Sequence, residues 1–410
     1  MPLKNKKQVI SWCLFDFANS SYSAVISAVI FPVYFASYIV GNESGLGDLW
    51  WGRAVSLSMV FIVLTSPFLG GIADFGGIRK RLLLIYTVLC ISAVASFSLI
   101  HKGMIAEGFV LIILANIGME GGFAFYNSFL PEIAEKEYHG RVSAWGFGVG
   151  YAGSILSLIL ALLLISSGYF DFTWLMVALF FGIFSIPAFL FLPKDRKEWS
   201  GLISSALRGV RYILDTFKKL WKAKETRKFL VSYLIYADGV NTVIVFSSIF
   251  AATTLGFNTQ ELVMLYIAVQ ILALAGSFIM AGPIDFWGPK KVVTLSLIMW
   301  VSVSFSAYFV QTKLMFWVIA FLAGFGLGAV QAASRAFFIQ FIPKGHESEY
   351  FGVYSMVGKS SAILGPLLFG VLSSYFGSQR PAILSVAVFF LTGLISLQFV
   401  KGGGPNLKDT

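Results

Sequence analysis

Five ionisable side chains stand inside long apolar runs: Asp16, Glu120, Asp238, Arg335 and Lys359. At the centre of a helix facing lipid, each would cost roughly 2.5–3.5 kcal/mol on insertion scales. Five such costs reach about 12–17 kcal/mol, comparable with the stability of a whole domain, so these side chains must face a wet cavity or one another. Each lies roughly eight to eleven residues from the basic end of its run, about 12–17 Å at the helical rise, which places the five in one layer. Three acids and two bases in a layer suit a zwitterion; the same layer would serve a cationic drug, a peptide fragment or a sugar. The acids also offer proton carriage, Asp16 and Asp238 first and Glu120 next, since a carboxyl whose surroundings alternate between wet and dry binds and releases a proton. Lys359 is open to another reading, because a long stem can carry its charge to the interface.

The elements that must position them are membrane helices. The chain has 410 residues, 57% of them hydrophobic and only 12% charged, with 41 phenylalanines. A soluble chain keeps about a quarter of its residues charged. Apolar runs long enough to cross the hydrocarbon recur at about 9–39, 52–73, 82–100, 105–130, 142–166, 172–192, 229–253, 261–282, 292–311, 314–341, 350–376 and 380–400. The first run is too long for a removable signal peptide and is read as a span. Lysine and arginine set the orientation. Lys4, Lys6, Lys7, Arg79, Lys80, Arg81, Lys136, Arg141, Lys290, Lys291, Lys344, Lys401 and Lys408 fall on one side, and only Lys102, Lys313 and Arg380 on the other. Both termini are therefore expected in the cytoplasm, which requires an even number of spans. The net charge of +10 marks a membrane face and gives no reason to expect nucleic acid.

The one long polar interruption, 193–227, divides the chain into an N-terminal half at 1–192 and a C-terminal half at 228–400, with a tail at 401–410. Within the interruption Trp199, Leu202, Ile203, Leu207, Val210, Ile213, Leu214, Phe217, Leu220 and Trp221 recur at helical spacing, with Arg208, Arg211, Lys218, Lys219 and Lys222 between them. This predicts a basic amphipathic helix on the cytoplasmic membrane surface; a calmodulin-like partner site is the alternative.

The halves repeat. Pro131, Glu135, Glu137, Tyr138, Gly140 and Ser143 match Pro343, Glu347, Glu349, Tyr350, Gly352 and Ser355 at one constant offset. Asp74, Phe75, Gly77, Arg79 and Lys80 match Asp285, Phe286, Gly288, Lys290 and Lys291, and Asp16 and Asn19 match Asp238 and Asn241. Parallel repeats of six spans are the arrangement of a facilitator whose solute sits midway. The segment from Gly70 to Lys80 resembles the G-x-x-x-D-[RK]-x-G-[RK]-[RK] loop of the major facilitator superfamily. It departs from that loop at Phe75 and Ile78, with Arg79 and Lys80 supplying charge one place later. Trp12 to Ser20, Tyr236 to Thr242, Gln331 to Arg335, Tyr350-Phe351-Gly352 and Gly365-Pro366 resemble one branch, the autophagy-type vacuolar effluxer family, also called the unknown major facilitator family. The resemblance implies an all-α membrane fold with about twelve helices in two pseudo-symmetric halves, and spans one, four, seven and ten around the cavity. It also implies the amino-acid export associated with eukaryotic members; the bacterial members mostly lack a defined substrate.

On that frame Asp16, Asn19, Glu120, Asp238, Asn241, Gln331 and Arg335, with Lys359, are assigned to substrate binding, coupling or gating. Asn19 and Asn241 are alternatively bonds that knit helices together. A Glu120–Arg335 pair across the halves would act as an inside gate. The loops with Asp74, Gly77 and Arg79, and with Asp285, Gly288 and Lys290, are expected to lock one access state; the alternative is that their bases only set topology. Two nucleotide motifs are refused. Gly148, Gly150 and Gly153 fit a dinucleotide fingerprint but lie within a span with no strand before them. The run from Gly352 to Ser360 has one residue too many between its glycines for a phosphate loop. His101, His139 and His346 are too scattered for a metal, and Cys13 and Cys90 are packing residues in apolar runs. No cofactor or metal is expected, nor an enzyme, since no nucleophile with a base stands within the spans. A non-transporting receptor on a transporter fold would have lost the intramembrane charges. The expected partners are a small solute, the bilayer and protons, and the expected setting is a bacterial cytoplasmic membrane, with a monomer as the working unit.

Overall fold

The computed structural model describes residues 6–75, 77–134, 139–195, 201–343 and 347–401. Glu135, Glu137, Tyr138, Trp199, His346 and the tail beyond Lys401 lie outside the described residues, as does the side chain of Asp74. Among the described residues twelve helices are long and apolar enough to cross a membrane: Lys6–Val40, Leu46–Ile72, Arg79–Leu99, Ile105–Asn127, Gly148–Ser166, Phe172–Phe191, Lys224–Thr253, Thr259–Trp287, Pro289–Phe309, Lys313–Ile339, Tyr350–Phe376 and Gln379–Gln398. They are called spans one to twelve. The all-helical expectation is met, with several boundaries moved. Span two begins at Leu46, a turn and a half before the apolar run starts. Span seven begins at Lys224, taking the last residues of the interruption.

Span one is not a plain α-helix. Tyr22–Val29 and Tyr34–Val40 are π-helical, on either side of a short turn, Ile30–Val33, that holds Pro32. Proline donates no N–H and crowds the carbonyl four residues back, and a widened turn absorbs that misfit.

The chain forms two compact units, 1–41 with 57–212, and 42–56 with 213–410. In the first, span one packs along spans five and six, and span three against four and six. In the second, span seven packs along eleven and twelve, and span nine against ten and twelve. The same pairings recur six spans later, so the repeat read in the loops is also a repeat of packing. Glycines set the close crossings: a Cβ on Gly118 would lie 2.6 Å from the Cys90 nitrogen, and one on Gly146 2.7 Å from the Trp12 ring.

The unit boundary departs from the sequence division. Residues 42–56, with the start of span two, belong to the second unit. Trp51 Nε1 donates to Val245 O at 3.2 Å, Ser56 Oγ to Ile363 O at 2.8 Å, and Asp48 is held by residues of spans eleven and twelve. The interruption is also divided, for its single helix, Leu202–Lys222, passes from one unit to the other at Tyr212–Ile213.

Candidate functional site

The interior acids of the two units do different work, and the cause is one proline. Span eleven was expected to run unbroken. Instead it is two helices, Glu347–Ser360 and Leu364–Phe376. Pro366 removes an N–H and would clash with the carbonyl four residues back, so the chain leaves the helix before it and restarts. A restarted helix has N–H groups without partners. Ile363 at its cap has no side-chain oxygen to offer, and Asp238 of span seven takes that role: Oδ1 accepts the Gly365 N–H at 2.8 Å. A Cβ at Gly365 would lie 2.6 Å from the same oxygen, so glycine is what lets the acid approach. Asn241, one turn on, donates to Ser361 Oγ at 3.0 Å within the break. Lys359 is half-buried in the last turn of the first half-helix, where a cation complements the helix dipole. Asp238, Asn241 and Lys359 thus converge on the interruption, and Asp238 is only 3% exposed.

In the first unit the constant offset carries Gly365 back to Gly153 and Pro366 back to Ser154. Ser154 keeps its N–H, and the helix His139–Ser166 is continuous. Asp16 therefore has no half-helix to cap. It is half-buried, its Oδ1 accepts a long bond, 3.4 Å, from Asn19 Nδ2, and the Tyr126 hydroxyl also meets its carboxylate. Its Oδ2 faces Gly146, where a Cβ would come within 3.0 Å. Below it, spans one and four are locked: Trp12 Nε1 donates to Tyr126 O, the Tyr126 hydroxyl donates to Trp12 O, both at 3.1 Å, and the rings stack at 4.6 Å. Asn19 is buried and borders a crevice lined by Phe15, Met119, Phe123 and Phe181, so it faces packing. Glu120 is half-buried on span four.

On span ten, Gln331 and Arg335 lie one turn apart on an exposed face. The Arg335 guanidinium is close enough to Tyr233 and Tyr354 to act on their hydroxyls. Those rings stack at 4.4 Å, and Tyr354 stacks on Phe338 at 4.8 Å, giving a basic group beside an aromatic wall.

The loop residues are bound to helix ends. Arg79 donates to Ser128 O at 3.1 Å, pairs with Glu132 and lies over the Phe129 ring. Lys80 Nζ donates to Leu192 O at 2.7 Å, at the end of span six, and Lys290 Nζ to Val400 O at 2.6 Å, just past span twelve. Lys80 and Lys290 are each the second residue of their helices. The functional match is therefore one place away from the sequence match, because Ile78 stays outside its helix while Pro289, at the matched position, begins the other. Gly77 and Gly288 turn the chain with φ of 70° and 86°. Asp285 is exposed.

Three polar groups escaped the sequence reading. Asp48, fully buried, accepts from Ser373 Oγ at 2.5 Å, Gln379 Nε2 at 2.8 Å and Asn42 Nδ2 at 2.9 Å. Asn116 of span four joins span one to span two, accepting from the Tyr22 hydroxyl at 2.7 Å and donating to Ser58 Oγ at 3.3 Å. Asp195, just beyond span six, caps span three by accepting the Lys80 N–H at 2.8 Å. Asn116 was visible as an amide in an apolar run; the other two sat in segments read as loops.

Twelve membrane helices in two repeated sets, with acids at matched positions of spans one and seven, define a transporter of the major facilitator type. The chain belongs to the vacuole effluxer Atg22-like family, whose profile matches residues 53–402. Its relatives include the uncharacterized MFS-type transporter YxiO of Bacillus subtilis (strain 168), 29% identical over 96% of this chain and 95% of that one. Autophagy-related protein 22 of Vanderwaltozyma polyspora is 23% identical over 95% and 91%. Among solved structures, the nucleoside transporter NupG matches with a TM-score of 0.70 at 15% identity over 97% and 98% of the two chains. The D-xylose-proton symporter matches with a TM-score of 0.70 at 17% identity over 98% of each. The protein is an integral membrane transporter, and family and fold alike point away from an enzyme.

Proposed function

We propose that the protein is a secondary active transporter that exports a small zwitterion of the amino-acid class by alternating access, in exchange for protons carried by Asp16. The observation that carries the coupling assignment is the inequality of the matched acids. Asp238 is committed to the Gly365 N–H, whereas the half-buried Asp16 meets the side chains of Asn19 and Tyr126. A group that must gain and lose a proton in each cycle cannot also hold a helix end in place. Asp16 and Glu120 suit a solute's ammonium, and Arg335 with Gln331 suits a carboxylate. The efflux direction rests on the family's description as vacuole effluxers, and the amino-acid class on the resemblance to eukaryotic members. A fold shared with a proton symporter is compatible with this scheme.

The test is flux in proteoliposomes with an imposed pH gradient, screening amino acids against sugars and nucleosides. Accumulation should follow the gradient in the parent and lose that dependence in Asp16→Asn. Accumulation indifferent to the gradient in the parent would mean facilitated diffusion. Equal dependence in parent and variant would pass the role to Glu120.

A further inference from the structure

The helix Leu202–Lys222 presents three faces, and only one of them is docked. At ~100° per residue its side chains separate into sectors. Ser205, Gly209, Thr216 and Leu220 are buried. Three of these four are small or polar, so this is a close-approach face. A Cβ on Gly71 of span two would lie 2.5 Å from Ser205 O and 2.6 Å from Gly209 Cα, and one on Gly209 2.7 Å from Pro67 O. The crossing falls on the last turns of span two, whose apolar stretch ends at Ile72. The helix therefore sits at the level where the hydrocarbon of the bilayer ends.

The apolar stripe is not the docked face. Ile203, Leu207, Val210, Leu214, Phe217 and Trp221 recur at alternating steps of four and three, and Ile203, Leu207 and Leu214 are 79%, 58% and 51% exposed. Along its other edge run Arg208, Arg211, Lys218, Lys219 and Lys222, all exposed, with Asp215 the one acid among them. A helix that stabilised only its own protein would bury Ile203, Leu207 and Leu214 and leave Ser205 and Gly209 outside. This one does the reverse.

We infer that this helix is a docking surface for an anionic bilayer face. The apolar stripe enters the headgroup boundary, the basic edge pairs with lipid phosphodiesters, and the Gly71–Gly209 crossing ties the end of span two to that lipid. Charge complementarity and depth both select a membrane over an acidic protein, because the stripe starts where span two leaves the hydrocarbon. The Phe217–Trp221 stack, with centroids 5.3 Å apart, places aromatic rings where interfacial rings collect. The inference stands apart from the nature of the solute, and its test reads no transport.

Full-length protein in vesicles of phosphatidylcholine with a minority of phosphatidylglycerol would carry a nitroxide at Leu207→Cys, Leu214→Cys or Lys219→Cys; native Cys13 and Cys90 are buried. Labels at 207 and 214 should relax with oxygen, and the label at 219 with a water-soluble nickel chelate. In detergent, short-chain phosphatidylglycerol should raise the unfolding midpoint where short-chain phosphatidylcholine does not. Replacing Arg211, Lys218, Lys219 and Lys222 by Gln should weaken that effect roughly tenfold or more in lipid concentration, with the lipid-free midpoint unchanged. Labels at 207 and 214 that read as aqueous would overturn the inference, including the case where only an added acidic protein protects them. So would equal stabilisation by both lipids, or stabilisation that survives the fourfold variant.

Discussion

Asp238 Oδ1 accepts the backbone N–H of Gly365 at 2.8 Å, across 127 residues of chain, and so joins span seven to the restart of span eleven. A side chain of one helix serves as the N-cap of another whose own cap residue, Ile363, cannot provide one.

Asp238→Ala should therefore destabilise the protein by about 1–3 kcal/mol, the cost of a lost cap and an unsatisfied buried N–H. Asp238→Asn keeps an acceptor oxygen and should cost less. Asp16→Ala should cost under about 1 kcal/mol, since its bond from Asn19 is long and the Tyr126 hydroxyl keeps Trp12 O as an acceptor. Denaturant or thermal unfolding of the purified protein ranks the three. An Asp16→Ala variant as unstable as Asp238→Ala would remove the distinction between the acids.

Asp48 makes a second prediction. Its carboxylate gathers Asn42, Ser373 and Gln379, and Gln379 Oε1 in turn accepts from Thr253 Oγ1 at 3.1 Å and Thr254 Oγ1 at 2.7 Å. Asp48→Ala leaves several buried donors without an acceptor and should cost about 2–4 kcal/mol. Ser373→Ala removes one donor of several and should cost about 1 kcal/mol. The pair should be strongly non-additive in a double-mutant cycle; additive costs would mean that the network does not act as a unit.

Topology is tested by reporter fusions after Asn5, within 193–227 and after Gly403. Each should report the cytoplasm, following the distribution of lysine and arginine. An outside signal at any one of them would break the even count of spans.

For the two short loops we expect Asp74→Asn combined with Asp285→Asn to shift the balance between inward- and outward-open states, with the protein still folded and inserted. Arg79, Lys80 and Lys290 keep their bonds to helix ends in that variant, so the struts within each unit persist. Reactivity of cysteines placed at Gln331 and Ser23, both exposed, reads the shift. Unchanged reactivity at both would leave the loops a purely topological role.

Much of this protein is legible from the sequence by itself because a membrane imposes local rules. A span is a property of some twenty consecutive residues, so the twelve helices and the repeat from Pro131 to Pro343 could be read without any contact. So could the list of charges that lipid would not accept. The tertiary structure decided what each charge does, because that depends on partners far away in the chain. Asp16 and Asp238 are equivalent by position and differ only because Pro366 breaks span eleven while Ser154 leaves span five whole. Asp48 looked like a loop residue until Ser373 and Gln379 surrounded it. The interruption reads as an amphipathic helix on the membrane surface; what the pattern does not show is that folding buries a separate face with Ser205 and Gly209, because two glycines let helix backbones approach more closely than leucines can.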